Sequence, residues 1–568
     1  MELPLSAFVV DVGALTTRVG YAGDDSPWFM LPSYVGVPSS SASSSADTSE
    51  FRFPLSFSEK RTDLAVSPCL YPSFSSSALP SYTLHEDVFE HIVRASISRC
   101  LPPSSSSTSS SSSSSSSLTS DAALGAAGVA CREDVETLSD YPVLFSEPNL
   151  HCRALREKLA CIAFEKLDVP ALYIAPRALL SCFAVGRSGG LVVDIGAASL
   201  SIAPVVDGFC LHREAGEWPV AGDFLDQVFS CVLARHNLPI LPLFATLKPI
   251  QTPASLSLSS LDSQPTSSAL RGGSSSASAA SWVAARRALY DWTDVDPSFL
   301  RLSQAAALRN MRESFCQVFL GDDRGAGAET AEDGGGFPGA SGIAEKAQKR
   351  CASRPLLLPP ADAGRRAQQV PSLQNVKQDA AFTPSRWLAM LPGPAGGRGL
   401  HAGTAALLGG APHILELPDG TRLVGEELAN TIPEVLFHPR TILQPLEAES
   451  WMDPAAKAFR GLTEELHDVA SRVDAEARKE IFNGIVLAGG GAATPGLYER
   501  LSRELSREAS ITMGMKWRLL AAPTLFERRV STWIGGSVLA SMSAFQSLWC
   551  SREEYDEHGP SIVERKCY

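Results

Sequence analysis

What this chain lacks narrows its reading first. No two of its 12 cysteines form a C-x-x-C pair. Zinc-ribbon and thioredoxin-type chemistry therefore have no signature here. Scattered single cysteines are expected as reduced thiols of a cytosolic or nuclear protein. No apolar run is long enough to span a bilayer as a helix. The opening MELPLSAFVV has neither a basic stretch nor a cleavage site, so no secretory leader is expected. Basic residues are in deficit: 49 Lys and Arg face 62 Asp and Glu, for a formal net charge of −13. That balance argues against a broad nucleic-acid face. It suits basic partners such as histones or basic helices.

What is present is a long globular sequence with interruptions. At 568 residues it exceeds one ordinary domain, and its 44% hydrophobic content can build a large core. Stretches without apolar periodicity run from Pro38 to about Pro80, from Pro102 to Ser120, roughly from Ile250 to Ala280, and from about Gly321 to Gly410. Their serine-, glycine- and alanine-rich composition buries too little surface to offset ordering entropy. They are expected as flexible, disordered insertions, which cost little as surface loops.

The blocks between them are well patterned. In HEDVFEHIVRASISRCL, Val88, Ile92, Ala95 and Ile97 fall close to helical spacing. In RALREKLACIAFEKL, Leu155, Leu159, Ile162 and Leu167 share one face. ALYIAP reads as a strand, followed by the helix RALLSCFAVGR ending at Gly186. GLVVDIG and IFNGIVLAGGG each read as a strand running into a turn. The second leads into the helix PGLYERLSRELS, with Pro495 near its first turn. WIGGSVLASMSAFQSLW sets Ile534, Val538, Met542, Phe545 and Trp549 along one helical stripe, which apolar periodicity usually assigns to core. Strands alternating with helices predict an α/β fold.

One pattern occurs twice. Phe8-Val9-Val10-Asp11-Val12-Gly13 is matched by Leu191-Val192-Val193-Asp194-Ile195-Gly196. Each is an apolar strand, an aspartate, a spacer and a glycine. Ala14, Thr16 and Thr17 follow the first; Ala197, Ala198 and Ser199 follow the second. Glycine lets the backbone turn tightly and present N–H groups, which form an anion-binding concavity. Two facing turns would clasp a polyphosphate. Asp11 and Asp194 would then hold Mg²⁺ through water, since that ion keeps much of its hydration shell. A single D-x-G after a strand is usually only a turn. Two copies, with a third glycine turn at Gly489-Gly490-Gly491 after another apolar strand, favour the phosphate reading.

The same residues resemble the actin family. DVGALTTRVGYAGDDSPWFMLPSYVG is similar to its first phosphate loop, and YPVLFSEPNLHCRALREKLACIAFEKLDVPALYI to the block before the second. HILELPDGTRLVGEELANTIPEVLFHP and WIGGSVLASMSAFQSLWCSREEYDEHGPSIVERKCY extend the resemblance to the C-terminus. It implies the two-lobed fold of actin, Hsp70 chaperones and sugar kinases, with a nucleotide cleft. Residues 1–186, completed by 530–568, would form one lobe, and residues 187–529 the other. VAGDFLDQVF and FERRVSTWIGGS look most like the nuclear actin-related protein 4 class, also called actin-like protein 6, while the middle of GPSIVERKCY is close to conventional actin.

Carried over residue by residue, the resemblance assigns ATP with Mg²⁺ to this cleft. Asp11, Gly13 and Ala14 match the first phosphate loop, and Arg18 replaces its lysine. Asp194 and Gly196 match the second loop, whose own aspartate is replaced by Ala197. Gly489 and Gly490 match the turn beside the adenosine, and Gly491 completes that glycine turn, which would pass close to the base or ribose. Arg529 stands where a lysine flanks adenine; its stem would pack on the base, or it is a solvated neighbour of Arg528. The water-orienting glutamine falls on Arg177, which is either a phosphate ligand or a salt-bridged helix residue, and a histidine falls on Ser201. Three members of a hydrolytic apparatus thus look replaced, and losing one such group removes roughly 10²–10⁴ in rate.

The resemblance therefore implies a non-catalytic, nucleotide-stabilised nuclear scaffold of chromatin-remodelling or histone-acetyltransferase complexes. Its implied partners are actin, a helical segment of a Snf2-type remodeller ATPase or acetyltransferase scaffold, and histones or nucleosomes. No filament self-assembly is expected, because Pro38 to Pro80 offers no matching apolar loop tip. Phe545 and Leu548 are candidate groove residues for the partner helix. The alternative is a cytoskeletal actin-like ATPase that forms or caps filaments. A sugar or acetate kinase ranks last, because Ala197 leaves no catalytic base beside the second turn.

Overall fold

The computed structural model describes residues 7–39, 48–74, 80–101, 138–235, 240–246, 291–318, 356–358, 414–416, 422–424, 426–446, 451–511 and 517–567. The stretches 102–120 and 250–280 lie outside these residues. So does 321–410, apart from the short strand Leu356–Leu358.

Phe8–Val12 organises the first sheet. Every residue of this strand is buried, as an apolar run carrying one aspartate requires of a central strand. It pairs antiparallel with Thr16–Tyr21 and parallel with Val143–Glu147. Phe29–Pro32 extends the sheet on one side, and Ala171–Pro176 with Cys550–Ser551 on the other. The second sheet repeats the plan. Gly190–Ile195 pairs antiparallel with Leu200–Val206 and parallel with Ile485–Ala488, beyond which lies Leu519–Ala521. Each sheet thus has a hairpin at its centre and a parallel neighbour reached by a long excursion, as expected of a mixed α/β fold.

The amphipathic helices cover these sheets. Glu86–Ser98 buries Val88, Ile92 and Ile97. Arg153–Cys161 buries Leu155 and Leu159, and the π-helical turn Ile162–Lys166 continues that face. Burying such a leucine or isoleucine contributes roughly 1.5–3 kcal/mol. Between the sheets, the helix Leu525–Ser541 packs along Arg177–Ala184. The adjacent glycines in WIGGS make this contact possible: a Cβ on Gly535 would stand 1.7 Å from Leu180 O. Beside it, fully buried Trp533 donates from Nε1 to Val9 O at 3.0 Å, fixing the helix to the first sheet's central strand.

Two expectations give way. The segment Pro38 to Pro80 is largely folded, with only 40–47 and 75–79 outside the described residues. Leu64–Pro68 pairs with Tyr34–Pro38, and Leu70–Ser73 with Ser81–Leu84. Sparse apolar residues among the serines account for this order: Phe57, Leu64, Cys69 and Leu70 are all buried. Phe57 meets Phe244 and Phe299 in a small core shared with the later part of the chain. Val66 N donates to Ser298 Oγ at 2.8 Å, and Lys60 pairs with Asp294 at 2.7 Å across the same junction.

The stripe from Ile534 to Trp549 is also not one helix. The helix ends at Ser541, and a 3₁₀ turn over Ser543–Ser547 redirects the chain. Phe545 and Trp549 turn inward and pack on each other and on Tyr173, which removes two large aromatic surfaces from water. Phe545 is therefore core, whereas Leu548 remains exposed along with Val538 and Met542.

Candidate functional site

The two D-x-G turns close alike. Gly13 N donates to Thr16 O at 3.1 Å, and Gly196 N donates to Ser199 O at 3.0 Å. Ala14 and Ala197 lie partly exposed in these turns. The carbonyls of Gly196 and Ala197 accept from Gly222 N at 3.2 Å and Asp223 N at 2.8 Å. Those bonds tie the second turn to the start of the helix Gly222–Arg235.

The third turn leans on the second. Gly489 has φ +92°, and a Cβ there would stand 2.4 Å from Asp194 Oδ1 and 2.5 Å from Ile195 O. Only glycine combines that conformation with that approach. Gly491 lies against the Ile195 side chain, whereas a Cβ on Gly490 would have nothing within 4 Å. Gly489 N donates to Arg528 O at 3.0 Å, which brings Arg529 beside this turn. Burial lowers the Arg529 pKa; Glu313 opposes the shift, while Arg18 and Arg309 add to it. Arg529 is thus within electrostatic reach of the first hairpin.

The first carboxylate is crowded with partners. Arg18 Nη1 bonds to Asp11 Oδ2. Ser146 Oγ donates to Asp11 Oδ1 at 2.5 Å. Arg177 places Nε 3.7 Å from the same oxygen and donates from Nη2 to Val12 O at 2.6 Å. Of the two readings of Arg177, the salt-bridged one is present, and its partner is the first turn's own carboxylate. Burial raises the Asp11 pKa, but Arg18, Arg177 and Ser146 outweigh it and hold the carboxyl below its ordinary range.

Asp194 is placed differently. Ser201 stands opposite it in the hairpin, and Ala488 beside it in the parallel neighbour. Burial raises its carboxyl above the ordinary range; Arg177 and Arg18 oppose this, and Asp11 adds to it.

The carboxylates do not fit the expected water-bridged Mg²⁺. Asp11 has both oxygens engaged by Arg18, Ser146 and Arg177, and is 1% exposed. Asp194 alone remains. Among the described residues, no three His, Cys, Asp or Glu side chains gather to hold a metal ion.

Several residues of this site carry no local signal in the sequence. Ser146 reaches Asp11 only because two distant strands pair in parallel. Asn149 donates from Nδ2 to Ser201 Oγ at 2.7 Å, and its Oδ1 accepts from Ala178 N at 2.6 Å. It thereby joins the start of the helix Arg177–Ala184 to the second hairpin. Tyr82 donates to Glu217, which stands opposite Ser201 in the second sheet. Burial raises the Glu217 carboxyl above its ordinary range, with Ser199, Tyr82 and Arg177 opposing.

The sequence model of the family described as Actin matches residues 2–568. Full-length relatives named actin-related protein 4 are similar at about a quarter identity. That of Oryza sativa subsp. indica is 26% identical over 564 residues, covering 99% of this chain and 98% of the relative. That of Emericella nidulans is 26% identical over 571 residues, covering 99% and 96%. That of Arabidopsis thaliana is 24% identical over 564 residues, covering 99% and 98%. Two matched strand-turn hairpins, a third glycine turn beside them and a match along nearly the whole chain make this protein a member of the actin family, with that family's nucleotide-binding fold.

Proposed function

We propose that this protein is a non-polymerising nuclear actin-related protein, a nucleotide-stabilised scaffold subunit of chromatin-remodelling or histone-acetyltransferase complexes. It pairs with actin on a helical segment of a Snf2-type ATPase or an acetyltransferase scaffold, with histones as further basic partners. ATP is its ligand, and hydrolysis is weak or absent.

Arg177 carries the non-catalytic part of this reading. A guanidinium held on Asp11 and Val12 O offers no lone pair to orient or deprotonate water. Ala197 and Ser201 supply no base beside the second turn. Nucleotide then acts through mass action, and at about 100 times its Kd it adds roughly 2.7 kcal/mol to stability. The scaffold part is supported by the full-length likeness to relatives named actin-related protein 4. Exposed Val538, Met542 and Leu548 offer apolar contacts to a partner helix, and the net charge of −13 suits a basic one.

Thermal melting of nucleotide-stripped protein with ATP and Mg²⁺, paired with a phosphate-release assay, tests the first part. A raised melting temperature without turnover is expected; turnover at the rate of conventional actin would reject it. Affinity purification from cells tests the second. Nuclear recovery with actin and a Snf2-type ATPase or acetyltransferase scaffold is expected. Recovery only with cytoplasmic dynein-activator or branching-complex subunits, or robust filament pelleting, would favour the cytoskeletal alternative.

A further inference from the structure

We infer that the cleft binds its nucleotide without a divalent cation, with the guanidinium groups of Arg18 and Arg177 supplying the positive charge a hydrated metal would bring. The inference rests on the nucleotide reading above and deepens it.

A hydrated Mg²⁺ at a strand tip needs carboxylate oxygens free to accept from its water shell. Asp11 is 1% exposed, with Arg18 bonded to Oδ2, Ser146 bonded to Oδ1 and the Arg177 guanidinium 3.7 Å from Oδ1, which leaves little room for a water shell. Releasing Asp11 to a metal would strand two guanidiniums that keep their charge at any accessible pH. The side chains of Arg18 and Arg177 are 13% and 19% exposed, so little water would screen them. Asp194 stands between Ser201 and Ala488, with Glu217 one strand beyond Ser201.

Arg18 and Arg177 both stand at the first strand tip, beside the same carboxylate. Unspent donors also remain. Arg18 Nε is buried and has no hydrogen-bond partner among the described residues, an arrangement that costs free energy until an acceptor arrives. A phosphate oxygen is the acceptor a guanidinium fork accommodates best.

The test is equilibrium titration of full-length, nucleotide-stripped protein with a fluorescent ATP analogue, in Mg²⁺ and again in excess EDTA. Wild-type Kd is expected to differ between the two by less than about threefold. The Arg177→Gln variant is expected to bind at least about tenfold more weakly than wild type in both buffers. A wild-type Kd that rises more than about threefold in EDTA would overturn the inference while leaving the nucleotide reading intact. An Arg177→Gln variant that folds and binds like wild type in EDTA would overturn the role given to Arg177. No binding in either buffer would overturn the nucleotide reading and this inference with it. Should melting curves show the variant misfolded, the wild-type comparison decides.

Discussion

The first and second hairpins share a backbone and differ in what surrounds their carboxylates. Both place an aspartate two residues before a turn glycine, and both close that turn with the same N–H to carbonyl bond. In each, the residue seven positions after the aspartate stands directly across the ladder. It is Arg18 in the first and Ser201 in the second. The parallel neighbour contributes Ser146 to the first and Ala488 to the second. One carboxylate is therefore held charged and the other is pushed toward its neutral form. The motif specifies a turn, and the residues across the ladder specify the electrostatics.

The largest expected effect tests what only the second hairpin has, a glycine turn pressed against its carboxylate. Gly489→Ala would force a side chain into a positive-φ position and into Asp194 and the Ile195 carbonyl. A destabilisation above about 3 kcal/mol is expected from such combined strain and overlap. Gly490→Ala is the control, because its φ is −64° and the space around it is open. Its effect should stay within about 1 kcal/mol. Urea midpoints of the two variants would separate them, and equal midpoints would show that the third turn does not buttress the second.

Next in size is the contrast between the carboxylates. Asp11→Ala leaves Arg18 and Arg177 without their counter-charge and Ser146 without its acceptor. Breaking a buried pair from one side costs about 3 kcal/mol. Asp194→Ala removes a carboxylate that burial already disfavours, so it should be neutral or stabilising by up to about 1 kcal/mol. Melting without nucleotide measures both. Equal losses would mean that the two hairpins are electrostatically alike.

This contrast also marks how far the residues themselves could be read. The doubled D-x-G strands and the glycine triplet were legible, because strand patterning and turn chemistry are local. The two sheets follow from them. Arg177 stands out in the sequence but its partner does not, because a helix N-terminus meets Asp11 only through tertiary packing. Ser146, Asn149, Tyr82 and Glu217 lie outside any motif and reach the site through pairings between distant segments. Serine content hid the ordered segment 48–74, where four well-placed apolar residues outweigh a polar composition. The stripe after Ile534 misled because periodicity does not reveal the turn at Met542.

The smallest effect is the sharpest, because its sign differs between the hairpins. Asparagine keeps the shape of each aspartate and removes its titration. Asp11 has a folded pKa below its ordinary 3.8. Its charged form stabilises the fold above that value, and this contribution is lost as pH falls through the depressed folded value. Asp11→Asn should therefore melt below wild type at neutral pH, and its deficit should persist until the pH drops under about 3.8. Asp194 has a folded pKa above 3.8. Its protonated form is the favoured one, so its contribution is present below 3.8 and is lost as pH rises through the raised folded value. Asp194→Asn should accordingly melt above wild type at neutral pH, and its gain should shrink on acidification before the Asp11→Asn deficit begins to move. Melting curves of both variants against wild type from neutral pH to below 3.8 read the two windows directly. Profiles of the same sign would show that the residues opposite the two carboxylates do not set their charge.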